Sequence, residues 1–520
     1  MMSSTKGNWP VRAGTRPSIE SKSMVDDEDQ SLPEPGTSWI NITVMITAAL
    51  GSFLYGFSAN AIASTLAQPT FIAKFLGTGA TSRTDGLLGG FLGGALVGAI
   101  VQAPLANRFG RRIANGSAST IVVVSGALQA GSVHIAMLLT ARVLCGIGAG
   151  MVFTNTPVYM SEVSPPHTRG LLVGFQGIGV VTAYISCALF GLIFNFVTAP
   201  VQWRLIFIVL SAVGLLHLVS LRFIPESPRW LMKQGREAEA KAVLEYLHRT
   251  NKDPCAMLAQ AEALQIKAQV ETEKVLPNGY MYIWWTPHLR KRAFCSIMLW
   301  IMGQGTGITA IANLIPVLMG SLGFSTVMQL GLGVVWTVCA VIGCAFNVLL
   351  ADRVGRVRLL TVGGFGCAAI ISILAALEKY YLNSTYQSGI NAAVAMYFIF
   401  GTFFTSTIEC TSYVYTTEIW PTHLRSEGST LAFASFFSNA IAYSAPVSVG
   451  LANIGWKLYM VFVAVTTVST IAIMLTFPET SGLTLEEINV KFGDSVEIDL
   501  RTALAKGIGK ESQPEAAKEC

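Results

Sequence analysis

Twelve apolar stretches, each about the length that crosses a bilayer, constrain this 520-residue chain more than any other feature. They fall at roughly 40–63, 86–106, 113–133, 136–156, 171–193, 204–223, 293–318, 326–350, 358–377, 391–415, 429–451 and 457–477. We number them spans 1 to 12. A helix needs about 20 apolar residues to cross about 30 Å of hydrocarbon. A chain in lipid must also satisfy its own backbone polar groups, which leaves helices or closed barrels. Stretches of this length predict an all-α membrane protein. Composition agrees. Charged residues are 12% of the chain, against about 25% in ordinary globular proteins. Mean hydropathy is +0.54. Lipid must solvate much of this surface.

An even number of spans puts both chain ends on one side. Lys and Arg mark the cytoplasmic loops. Arg108, Arg111 and Arg112 separate spans 2 and 3, and Arg169 separates spans 4 and 5. Arg353, Arg356 and Arg358 separate spans 8 and 9, and Arg425 separates spans 10 and 11. Alternate loops are nearly free of these residues. Both tails and the 224–292 loop are therefore expected in the cytoplasm. Residues 1–38 carry Asp26-Asp27-Glu28-Asp29 and four prolines and read as a disordered tail. The first apolar stretch begins near Trp39, too late for a cleaved signal peptide. Asn383-Ser384-Thr385 lies in an outward loop and is a candidate glycosylation site. The nine cysteines sit mostly in apolar segments with no C-x-x-C pair, so neither a disulfide framework nor a metal site is expected. A net charge of +5 gives no sign of nucleic acid binding. No cofactor is expected. The partners implied are the bilayer and a small-molecule cargo.

The two halves repeat. Asn107-Arg108-Phe109-Gly110-Arg111 after span 2 parallels Asp352-Arg353-Val354-Gly355-Arg356 after span 8. Glu162 with Arg169 parallels Glu418 with Arg425, at the same spacing. Pro225-Glu226-Ser227 parallels Pro478-Glu479-Thr480. Three ordered markers define two six-helix repeats, an architecture with its binding site between the halves near mid-membrane. The predicted organisation is a tail (1–38), an N-terminal six-helix domain (39–223), a helical linker (224–292), a C-terminal six-helix domain (293–477) and a tail (478–520). The acids and arginines of the markers, with Arg229, are expected to form a cytoplasmic gate. They would pair across the interface between the halves and part when it opens.

These residues resemble the sugar porter family of the major facilitator superfamily. The most specific string is Pro225-Glu226-Ser227-Pro228-Arg229-Trp230-Leu231 with Gly235-Arg236. Arg142 with Gly146, Gly148 and Gly150, the 157–170 stretch, and Pro478-Glu479-Thr480-Ser481-Gly482 resemble further family motifs. Tyr413 to Pro421 looks most like fungal members. The resemblance spans about 40–490. It implies the major facilitator fold, alternating access by rocking of two six-helix domains, and a plasma membrane location.

It also implies a pocket. Gln176, Gln304 and Asn439 match the family's sugar contacts, and amides suit a polyol because they both donate and accept. Other family positions differ. Gly303 stands for a glutamine, Thr309 for an asparagine, Asn313-Leu314 for a tyrosine pair and Tyr413 for a tryptophan. Span 10 has lost its Gly/Pro-rich stretch and should be a more continuous helix. Ser58 replaces the span 1 aspartate of proton-coupled members while Arg142 is kept, which favours facilitated diffusion. Glu409 points the other way. An acid inside a span costs about 2.5–3.5 kcal/mol on insertion scales, and it shares a polar helical stripe with Tyr413. It is a candidate proton or substrate site.

The leading reading is a facilitator of a sugar or related polyol. The second is a proton-coupled porter of a non-hexose organic solute, with Glu409 as its site. A membrane nutrient sensor is a third. No nucleophile–base set, metal cluster or phosphate loop suggests an enzyme.

Overall fold

The computed structural model describes residues 38–77, 80–164, 169–197, 199–249, 257–273, 279–381, 386–481, 483 and 485–493. Among them every regular element is a helix. Nine spans are single helices: Trp39–Leu66, Ala80–Phe109, Arg111–Ala130, Ile135–Val163, Arg169–Asn195, Gln202–Ser220, Thr326–Val354, Arg356–Tyr381 and Lys457–Thr476. The other three are interrupted, and those interruptions shape the site.

Span 7 comprises Pro287–Gly305 and Ile308–Ser321. Gly307 between them has φ +76°, where an added Cβ would lie 2.5 Å from the Phe462 ring. Only glycine fits that joint. Span 10 stays helical from Gln387 to Glu418, as the missing prolines predict, but Thr405–Glu409 forms a wider π turn. Span 11 comprises Arg425–Ser444 and Val447–Ile454. Eleven described helices are long and apolar enough to cross a membrane. Span 11 is the twelfth and falls short because it carries Arg425, Glu427, Ser435, Ser438 and Asn439. It packs against spans 2 and 7, which bury Arg425 and half-bury Glu427, Ser435 and Asn439, while Ser438 stays exposed.

Span 1 packs on span 5, span 2 on span 4, and span 9 on span 12. The halves meet where span 2 packs on span 11 and span 8 on span 5, two contacts related by the repeat. Spans 2 and 4 approach with almost no side chains between them. A Cβ on Gly94 or Gly98 would sit 2.1 Å from the carbonyl oxygens of Val143 or Ile147. One on Gly146 or Gly150 would sit 2.1 or 2.2 Å from those of Phe91 or Ala95. Two small-x-x-x-small pairs thus let two backbones touch.

The repeated markers gather at one end of the bundle, here called the motif face. Arg111 pairs with Glu162 at 2.9 Å and Arg356 with Glu418 at 3.5 Å. Glu226 accepts the backbone N–H of Arg111 at 2.9 Å and of Arg112 at 3.1 Å. Glu479 accepts those of Arg356 at 2.8 Å and Val357 at 3.0 Å. Each glutamate therefore caps the start of the third helix of its half, where free N–H groups and the helix dipole favour an anion. Burial pushes the Glu226 carboxyl above the ordinary carboxylate range, and the backbone N–H groups pull it back. Gly110 and Gly355 bend the chain at φ +95° and +100°, and a Cβ there would strike the capping glutamate at 2.5 and 2.8 Å. Tyr159 donates to the Pro225 carbonyl and Tyr415 to that of Pro478.

The two described pairs between marker residues, Arg111 with Glu162 and Arg356 with Glu418, lie within a half: each links the start of span 3 or 9 to the end of span 4 or 10 of the same repeat. Glu226 and Glu479 hold backbone N–H groups rather than guanidinium groups. Arg108 and Arg353 are exposed. Arg229 donates to Gln269 inside the linker. Arg425 is buried at the start of span 11. Asn383 lies outside the described residues, as do the side chains of Arg169 and Asp352.

A described polar contact at this face does cross the halves. Asn107 of span 2 donates to Glu427 of span 11 at 3.0 Å. An aspartate could not make it. Asn107→Asp should remove a charge-assisted bond of about 1.5–3 kcal/mol and set two carboxylates face to face. Electron–electron resonance between spin labels at positions 113 and 354 should then show a longer, broader distance across the face. An unchanged distribution would mean that this contact does not hold the halves together.

Among the described residues, four helices, Pro228–Lys233, Glu237–His248, Met257–Glu273 and Tyr280–Trp285, lie between the halves. Leu231, Ala240 and Leu244 pack on Ala259, Ala263 and Ile266.

Candidate functional site

A cavity lies between the halves, on the side away from the motif face. Spans 1, 2, 4, 5, 7, 8, 10 and 11 line it. Its acid is Glu409 and its base Arg142, the sole charged residues among those lining it. The π turn ends at Glu409. One extra residue in that turn rotates the chain beyond it, and the carboxylate borders the cavity. Tyr413, one turn on, donates to Glu409 Oε1 at 2.9 Å. No cation pairs with Glu409 among the described residues. An ionised carboxylate in such surroundings needs a counter-charge or a proton.

The rest of the wall is largely apolar or aromatic. Tyr55, Phe91, Tyr184, Trp336 and Phe436 contribute rings, and Val181, Ile308, Leu330 and Ala340 contribute aliphatic surface. Gln304, Thr309 and Asn313 supply polar groups from the two parts of span 7. The Thr309 hydroxyl donates to Gln304 Oε1 at 2.5 Å.

Three expected residues are not in the lining. Gln176 is fully buried with its amide already engaged: Oε1 accepts from Ser52 at 2.5 Å, and Nε2 donates to the Phe153 carbonyl at 3.3 Å. Asn439 Nδ2 turns back on its own helix, donating to the Ser435 carbonyl at 2.8 Å and hydroxyl at 3.2 Å. Ser58 is buried, and its hydroxyl donates to the Leu54 carbonyl. In this arrangement the Gln176 amide is engaged by Ser52 and Phe153, and the Asn439 N–H by its own helix. Arg142, buried, donates to the Ser58 carbonyl at 3.0 Å and lies 4.5 Å from the centre of the Phe91 ring.

The sequence reading missed the floor. Between the cavity and the motif face, Tyr55 and Phe153 of one half meet Trp300, Tyr413, Phe433, Phe436 and Phe437 of the other. The Phe153 ring lies 4.0 Å from Tyr55, 5.7 Å from Tyr413, 5.1 Å from Phe433 and 5.4 Å from Phe436, centre to centre. Trp300 lies 4.9 Å from Phe436 and 5.5 Å from Tyr413. Rings inside apolar spans give no contrast in sequence. The available hint was Phe433 with Phe436 and Phe437 at helical spacing. Each ring pair contributes about 0.5–1.5 kcal/mol beyond its area. Phe153→Ala should therefore loosen the floor by about 3–5 kcal/mol. Hydrogen exchange read by mass spectrometry should quicken in segments 410–418 and 429–437. Unchanged exchange there would mean that Phe153 does not hold the floor shut.

A family model described as sugar (and other) transporter matches residues 44–492. The chain belongs to that family. It is a multi-pass membrane protein and a secondary transporter of sugars or related solutes. It is similar to an MFS-type transporter, criB, of Aspergillus cristatus, 29% identical over 91% of this chain and 98% of that one. A high-affinity glucose transporter of Kluyveromyces lactis is 27% identical over 75% and 74%. A quinate permease of Neurospora terricola is 28% identical over 89% and 91%. Among solved structures, the proton:xylose symporter XylE bound to 6-bromo-6-deoxy-D-glucose superposes with a TM-score of 0.76. It is 22% identical, covering 88% of this chain and 100% of that one. That likeness establishes the major facilitator fold.

Proposed function

We propose that this transporter carries a related solute other than an aldohexose: a small organic molecule with a ring-like apolar body and a hydrogen-bond donor that meets Glu409. The observation that supports this is the engagement of the Gln176 amide by Ser52 and Phe153, and its place outside the lining of a ring-rich cavity whose acid is Glu409. A polyol needs many donors and acceptors. A site built for another pattern rejects it when buried polar groups would stay unpaired.

The carrier works by facilitated diffusion in this reading. Ser58 cannot exchange a proton at useful pH, and Arg142 contacts its carbonyl rather than an acid. The six-helix units 39–223 and 293–477 rock about the cavity, with the 224–292 helices bridging them. Both chain ends and the motif face lie in the cytoplasm, following the Lys and Arg placement, and the plasma membrane is the expected site. The aromatic floor and the motif face then close the inward side. The chain carries its cargo and does not convert it.

Glu409 favours a second reading, proton-coupled transport, because it has the Tyr413 hydroxyl as its described partner and no cation. Proteoliposomes with an imposed pH gradient distinguish the two. Facilitated diffusion brings labelled cargo to equal concentrations on both sides. Accumulation against its own gradient would assign coupling, and its loss in Glu409→Gln would place the coupling at Glu409.

A further inference from the structure

A second cavity, of about 350 Å³, lies behind the 308–321 helix of span 7 and shares no lining residue with the first. One face of that helix borders the central cavity through Thr309 and Asn313. The other borders this one through Leu314 and Leu318, with Leu322 just past the helix end and Leu451 also lining it. Its wall is aliphatic except for Ser448 and one cluster. Glu378 near the end of span 9 lines it, together with Tyr397 of span 10. Tyr397 donates its hydroxyl to Glu378 Oε1. Tyr459 of span 12 donates to the same oxygen at 3.0 Å, and the two hydroxyls lie 2.6 Å apart. All three residues are buried.

The carboxylate oxygen can accept from both hydroxyls, and the two hydroxyl protons are then spent on it, which leaves the contact between the hydroxyls without one. No cationic side chain pairs with Glu378 among the described residues. Lys379, its neighbour in sequence, lies instead over the Tyr380 and Trp456 rings at 5.3 and 5.0 Å. A buried carboxylate without a counter-charge is costly, and here it faces a hydrocarbon-lined space. The chemistry that completes such a site is an ammonium group on a compact aliphatic body.

We propose that this cavity is a binding site for lipophilic amines, with Glu378 as the counter-ion and Leu314, Leu318, Leu322 and Leu451 enclosing the hydrocarbon. An occupant would wedge against the helix that also forms a wall of the central cavity.

The test is equilibrium binding of tritiated 1-aminoadamantane to the full chain in nanodiscs, with empty nanodiscs subtracted for partitioning. The expected result is saturable binding that unlabelled 1-aminoadamantane displaces and the neutral 1-adamantanol displaces about tenfold or more less well. Glu378→Gln should weaken it by a similar factor. Leu318→Trp, which fills the cavity and leaves Glu378 in place, should also abolish it, and it decides the matter if Glu378→Gln does not yield folded protein. Glu409→Gln should leave the component of binding that Leu318→Trp removes unchanged, whatever it does to amine held in the central cavity. Absence of saturable binding, equal displacement by the alcohol, or binding that survives the cavity-filling variant would overturn the proposal. So would loss of all saturable binding in Glu409→Gln, which would place the amine in the central cavity alone.

Discussion

Glu409→Gln is expected to cut transport of the natural cargo by about 10–100-fold, the range of a hydrogen bond to a charged group. The amide keeps the size of the side chain, and its carbonyl still accepts from Tyr413, so the π turn and the cavity wall should survive. Surface amount and melting temperature should therefore stay near wild type. Tyr413→Phe removes a partner of Glu409 rather than the charge and should cost less, about 2–12-fold. The measurement is tracer uptake into proteoliposomes over a panel of aldohexoses, cyclic polyols and ring-bearing solutes with hydroxyl or amine donors. Wild-type rates in Glu409→Gln for the solute that the wild type carries best would remove the carboxylate from recognition.

The second large effect concerns folding. Gly94→Ala and Gly146→Ala should each lower the melting temperature sharply or prevent recovery of monodisperse protein. Their Cβ atoms would come 2.1 Å from the carbonyl oxygens of Val143 and Phe91. These are backbone atoms within helices and cannot turn aside as a flexible side chain can. Overpacking of this kind costs about 1–3 kcal/mol or more, and here two whole spans must separate. Gly93 is the matched control: a Cβ there meets nothing within 4 Å. Gly93→Ala should be neutral or stabilising by up to about 1 kcal/mol, as helix propensity predicts. Equal behaviour of the 93 and 94 variants would mean that the close approach of spans 2 and 4 is not required.

The spans were legible because lipid imposes one requirement on every segment, and apolar length records it directly. The repeat was legible because each half needs the same chemistry at its motif face. What those residues bond to was less so. Glu226 and Glu479 suggested ion pairs by charge, yet they cap helices that begin more than a hundred residues from them in sequence. Gln176 illustrates why a matched position need not be a contact. Its amide is engaged by Ser52 of span 1 and by the Phe153 carbonyl of span 4, neighbours that only the packing of three spans reveals. The wide turn at 405–409 has no residue signature. Glu409 itself was visible, because a lone acid in an apolar run stands out, and the structure places it on the cavity as its helical stripe suggested. The floor was invisible for the opposite reason, since rings among apolar residues look like any lipid-facing or core position.

The most direct test is uptake of labelled D-glucose by cells lacking their own hexose carriers, with surface expression of the protein verified. A cargo recognised through Glu409 rather than through the amides of Gln176 and Asn439 predicts no saturable glucose uptake above control cells. The same cells should take up at least one ring-bearing solute of the panel saturably. Saturable glucose uptake that Gln176→Ala abolishes and Glu409→Gln spares would contradict it.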